Sequence, residues 1–133
     1  MRVAVAGAAF LLMFGCARRA QLSPQEMAKY AERISFAHFR AHAEANLAGH
    51  TVFYVDAVVK NDTGRAISLL QVNANFYDAY GRVVFREAAM VVKEKQPALA
   101  PGQSRDFRMA FEGLPDSWTR TAPRLEIASL VLE

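Results

Sequence analysis

One cysteine, Cys16, is the whole thiol content of the 133 residues. A lone thiol cannot close an internal disulfide, so the fold must hold by packing and hydrogen bonding alone. Histidine is almost as scarce, with His38, His42 and His50 the only imidazoles. No Gly-x-Ser-x-Gly elbow is present, which removes the usual setting for a nucleophilic serine, and no glycine-rich phosphate loop occurs. No apolar run approaches the ~20 residues that span a bilayer as a helix. Neither sign of charge dominates: 16 Lys and Arg stand against 13 Asp and Glu, for a formal net charge of +3. The cations from Lys60 to Arg124 are scattered among acids. A nucleic-acid footprint needs clustering, so no nucleic-acid partner is expected. Internal repeats and low-complexity stretches are absent as well.

What is present begins at the N-terminus. One cation, Arg2, precedes an apolar stretch over residues 3–14, which ends in Gly15-Cys16. That is the layout of a secretory signal. The segment resembles a bacterial lipoprotein signal, which implies that residues 1–15 are removed and that Cys16 is lipidated as the new N-terminus. Leu12 and Gly15 fit that pattern, while Met13 and Phe14 are bulkier than it prefers, and Arg18 and Arg19 follow the cysteine at once. An ordinary cleaved signal peptide and an uncleaved N-terminal anchor are the alternatives, with Cys16 incidental in both. Lipidation would consume the only thiol and leave no reactive group in an oxidising compartment. The resemblance implies a cell-envelope protein, lipid-anchored on the periplasmic side. Ala17 after the cysteine, in place of Asp, leans by analogy with such proteins toward the outer over the inner membrane.

About 118 residues follow the signal, enough for one domain. Residues 16–32 divide into the lipidated terminus, a tether and a short helix. Ser23 can cap free N–H groups, Pro24 suits the first helical position, and Glu26 sits three residues after the cap. Met27, Tyr30 and Ile34 share one face at helical spacing.

From residue 33 to 133 the apolar period is two. Phe53, Val55, Ala57 and Val59 form one face of a strand over residues 51–60, and Asn61-Asp62-Thr63-Gly64 is a turn by chemistry. Leu70, Val72, Ala74 and Phe76 oppose Gln71, Asn73, Asn75 and Tyr77, a strand with one buried and one wet face. Gly81 turns the chain into a return strand over residues 82–92, and Pro101-Gly102 suits a type II turn. Phe107, Met109 and Phe111 mark the next strand, and Leu125, Ile127, Ser129 and Val131 alternate through the last. Six or seven such strands without helical crossovers imply an all-β fold of two packed antiparallel sheets. An immunoglobulin-like sandwich is the leading architecture, and a small open barrel is the alternative.

Val59-Lys60-Asn61, then Val72-x-Ala74-x-Phe76-Tyr77-Asp78-x-x-Gly81, then Leu99-x-Pro101-Gly102 with Phe107, resemble the FxLYD-type family of bacterial envelope domains. Leu114-Pro115-Asp116-x-Trp118 is similar to a variant found in lipoproteins of unknown function. The resemblance spans about residues 33–132. It implies an immunoglobulin-like sandwich in the envelope and no established catalytic site.

Residues able to carry chemistry are few. Asp62-Thr63-Gly64 spells the aspartic-protease tripeptide, but Lys60-Asn61 precedes it and no second copy exists, so a turn is the better reading. His38, Arg40 and His42 would share a strand face, with a cation between the two imidazoles and about 13 Å separating them. A metal site is therefore not expected. Asp56 lies opposite the apolar face of its strand, and Asp78 caps a turn. Trp118 with Arg120 is the one feature with a fair chance of contact with a partner or ligand, but folding back to close the sandwich end is the better reading. Asn73, Asn75 and Tyr77 offer a second, polar surface. The expectation is a non-catalytic lipoprotein that binds another envelope protein, held to the membrane through Cys16 and needing no cofactor. The alternative is a small-ligand domain with a pocket near Trp118.

Overall fold

The protein is described from a computed structural model over residues 22–133. Helix α1 spans Pro24–Ala31. Ser23 caps it as expected, its Oγ accepting from the Glu26 backbone N–H at 3.2 Å. Met27 and Tyr30 turn their half-buried side chains onto the core, and no residue of the helix is fully buried. Ile34 is the first residue of a strand rather than part of the helix.

Six strands follow: β1 (Ile34–Ala45), β2 (Thr51–Asn61), β3 (Ile67–Tyr77), β4 (Val83–Val92), β5 (Ser104–Glu112) and β6 (Arg124–Leu132). They form two three-stranded sheets ordered β1-β2-β5 and β4-β3-β6, antiparallel throughout. The sheets pack as a β-sandwich, and no strand closes them into a barrel among the described residues. The order agrees with strands A-B-E facing C′-C-F of an immunoglobulin-like sandwich, with no counterpart of D or G among those residues.

The inner faces are those read from alternation. Val55, Ala57 and Val59 face Leu70, Val72, Ala74 and Phe76, and Phe107, Met109 and Phe111 complete the layer. β6 departs from the expected alternation. A register shift between Gln71 and Val72 inserts an extra residue at Ala128. Such a bulge flips the following side chains to the other face. Leu125 and Ile127 therefore pack inward, but beyond the bulge Leu130 and Leu132 are buried in place of Ser129 and Val131.

The strands also define two poles. The β1–β2 hairpin at residues 46–50, the β3–β4 hairpin at 78–82 and the β5–β6 loop at 113–123 gather at one end. At the other end lie the connection from α1, the turns at 62–66 and 93–103, and the C-terminal Glu133. Asn61 closes this second pole. Its Nδ2 donates to the Arg65 and Leu99 carbonyls at 2.7 and 2.9 Å, and its Oδ1 accepts from Thr63 N and Oγ1 at 3.0 and 2.6 Å.

Candidate functional site

Trp118 stands at the loop pole, 7% exposed. Its ring meets Phe53 of one sheet at 5.0 Å and Phe76 of the other at 5.3 Å, both edge-on at 87°. The indole N–H is satisfied by the Thr121 carbonyl at 3.2 Å. The aromatic body is thus a wedge between the two sheets, with its polar edge turned to the loop, as a buried indole requires. Beside it opens a cavity of about 770 Å³, walled by Phe53, Leu114 and Trp118 and rimmed by His50, Asp116 and Arg120. Arg120 is exposed and holds a left-handed backbone at φ 61°, an uncommon conformation for a residue with a Cβ. The cavity mixes an aromatic wall with charges of both signs, and no serine or cysteine lines it among the described residues.

Two apolar side chains stand clear of the same pole. Leu47, at the tip of the β1–β2 hairpin, is fully exposed, and Tyr80, at the tip of the β3–β4 hairpin, is 85% exposed. The Leu47 loop is built by Asn46, whose Oδ1 accepts from the Ala48 and His50 backbone N–H groups. The Tyr80 loop is built by Asp78, whose Oδ1 accepts from the Tyr80 and Arg82 N–H groups, both at 2.9 Å. Arg82 Nε adds a bond to Asp78 Oδ2 at 2.8 Å. The Arg82 backbone N–H does most to hold the Asp78 carboxyl below its usual range, with help from the Arg82 side chain and the Tyr80 N–H. Sequence reasoning passed over Leu47. Its signal was a large aliphatic residue inside a polar turn, outside the period of either flanking strand.

The outer face of the first sheet carries a second, shallower hollow of about 510 Å³, lined by His38, Arg40, Asp56, Asp106, Phe107 and Arg108. Arg108 grips Asp56 with a two-pronged contact at 2.7 and 3.1 Å and lies over the Tyr54 ring at 5.1 Å. That hydrogen bond is the main reason the Asp56 carboxyl is held low. His38 takes φ 57° where the β1–β2 register shifts between Ala37 and Arg40, so β1 bulges at the rim. His42 instead stacks on Tyr54 at 5.3 Å and nears Glu44 at 3.4 Å. His50 lies at the loop pole, and the three imidazoles do not converge. Among the described residues, no three His, Cys, Asp or Glu side chains are grouped to hold a metal. Asp56 lies mid-strand in β2 and Asp78 in the turn between β3 and β4 of the other sheet, so they form no pair. Asp62-Thr63-Gly64 is a turn, with Gly64 at φ 80°.

The polar surface expected on β3 divides. Asn73 and Tyr77 are half-buried on the outer face, while Asn75 is fully buried and cannot meet a partner as it stands. Cys16, the expected lipid attachment point, lies outside the described residues. Among those residues, no helix is long and apolar enough to cross a membrane.

No family model matches the chain, and no curated protein does. Among solved structures, it is similar to the crystal structure of a candidate ApaA protein from Bordetella pertussis. The identity is 13%, over 74% of this chain and 90% of the other, with a TM-score of 0.42. A likeness that loose transfers no activity.

Proposed function

We propose that the chain is a non-catalytic lipoprotein of the bacterial envelope, of the FxLYD type, that binds another envelope protein through its loop pole. In this reading Cys16 carries the lipid, and the domain faces the periplasm, at the outer membrane in preference to the inner. The observation that carries the reading is Leu47, fully exposed at a hairpin tip at the pole opposite α1. A chain tethered just ahead of α1 keeps the α1 pole near the lipid and points Leu47 and Tyr80 away from it. The eleven residues of β2 put the two poles roughly 35 Å apart. Leu47 and Tyr80 are the sort of apolar anchors that a partner pocket desolvates. Loops on a rigid sandwich are a usual place for recognition.

The cavity beside Trp118 supports a second reading, in which a small ligand lies against Phe53 and Trp118. Its volume falls in the range of small-molecule sites. The anchor is tested by the mass of the N-terminal peptide from the membrane fraction, with Cys16→Ser alongside. The proposal expects an acylated Cys16 and release of the variant from the membrane. An unmodified Cys16 in a protein free of the membrane overturns it.

A further inference from the structure

Asn75 is the most fully buried polar side chain on an outer sheet face, at 0% exposure. Its carboxamide orientation is fixed by chemistry: Arg86 Nε can only donate, and it donates to Oδ1 at 2.6 Å. The other limb, Nδ2, is therefore the donor, and it has no partner among the described residues. A buried donor left unpaired is destabilising, because it has lost its water without gaining an acceptor. Across the strands, Asn75 is paired with Arg86 of β4 on one side and Arg124 of β6 on the other. Both arginines are exposed, and among the described residues neither meets a carboxylate in a salt bridge. The row Arg86–Asn75–Arg124 thus presents donors from three strands, its two outer Cα atoms about 10 Å apart. Glu126, two residues along β6 and in register with Asn73, is the acid closest in sequence to the row on this face. Among the described residues it forms no ion pair with either arginine.

We propose that this row is an anion-binding site for a carboxylate of an acidic segment in another protein. Guanidinium forks match planar carboxylates in two-pronged contacts. A carboxylate oxygen set between the two arginines, once their exposed chains part, would also accept from Asn75 Nδ2 and cancel its unpaired state. The row lies on an open sheet face, where a free small anion would stay hydrated. An extended acidic chain crossing the strands gains Asn73 and Tyr77 as neighbours. The site lies on the outer sheet face beside the loop pole, away from Leu47 at the β1–β2 tip on the other sheet, and does not depend on the lipid anchor.

The test is a titration of the full chain in detergent micelles, at fixed ionic strength, with acetylated hexaglutamate amide. Nitrogen–proton spectra report the Asn75 Nδ2 and the Arg86 and Arg124 Nε groups. The proposal expects a saturable shift at Asn75 Nδ2, and at least tenfold weaker binding in Arg86→Gln/Arg124→Gln with the remaining spectrum unchanged. Arg108→Gln, on the other sheet, should bind as the parent does. No saturable shift at Nδ2 overturns the proposal. So does an unchanged affinity in the double variant, or saturation by inorganic phosphate in place of the peptide. If the double variant fails to fold, each single variant is expected to weaken the peptide at least threefold, and an unchanged affinity in both overturns the proposal.

Discussion

Trp118 and Phe53 meet edge-to-face across the loop pole, ring centres 5.0 Å apart and planes at 87°. Phe76 meets the same indole from the opposite sheet. One loop residue thus joins both sheets at the end where two hairpins and the β5–β6 loop gather, and it forms a wall of the cavity there. Trp118 is therefore first a packing residue, and any ligand in the cavity touches a wall that the fold already needs.

Trp118→Ala should cost about 3–5 kcal/mol in urea unfolding, the usual loss for a buried aromatic cut to a methyl. Trp118→Phe should lose less, since it keeps an aromatic ring against Phe53 and Phe76 while giving up the bond to Thr121 and part of the indole's packing. A loss under ~1 kcal/mol in the alanine variant would contradict the wedge.

Asn61 ties the opposite pole by four hydrogen bonds, two of them to carbonyls of separate loops. Asn61→Ala should destabilise by about 2–4 kcal/mol, because it leaves buried groups unpaired as well as removing bonds. Asn61→Asp is nearly the same shape but sets an oxygen against the Leu99 and Arg65 carbonyls, so it should be no milder. Thermal unfolding of the two variants checks both statements.

Acid should weaken the protein through Asp78. Its folded pKa lies below the ordinary 3.8, so its contribution is present above that value and is lost as pH falls through the lower folded one. Unfolding temperature measured from pH 7 down to pH 2 should decline below about pH 4. Asp78→Asn should be less stable at pH 7 and show a shallower decline. An equal decline in the variant would assign the acid sensitivity elsewhere.

His38 holds a left-handed backbone at the β1 bulge, which costs a residue with a Cβ roughly 1–2 kcal/mol. His38→Gly should match or exceed the parent in stability, by up to about 1 kcal/mol. His38→Val, whose branched Cβ tolerates that backbone poorly, should be clearly less stable. Chemical denaturation of the pair reads the difference directly.

The inner faces of β2, β3 and β5 were legible because period-two alternation reports burial with little interference. Turn chemistry was legible for the same local reason, as at Gly64 and Gly102, both with positive φ. What escaped was set by other strands. The bulge at Ala128 reverses burial along β6, and nothing within β6 announces it. Asn75 looked like a solvent-facing member of β3, yet Arg86 from β4 bonds it and it is fully covered. Trp118 could be read from sequence as either contact or closure, and its position between Phe53 and Phe76 decides for closure. Leu47 was invisible because periodicity speaks only of residues inside strands.

The loop pole as a binding surface is tested most directly by site-specific photo-cross-linking in the native envelope. The probe replaces Leu47 in one strain and Lys95, at the opposite pole, in another. The Leu47 probe should yield one dominant adduct with an envelope protein, weakened in a Tyr80→Ser background, and the Lys95 probe should not yield it. No adduct from Leu47, or the same adduct from both positions, would contradict recognition at that pole.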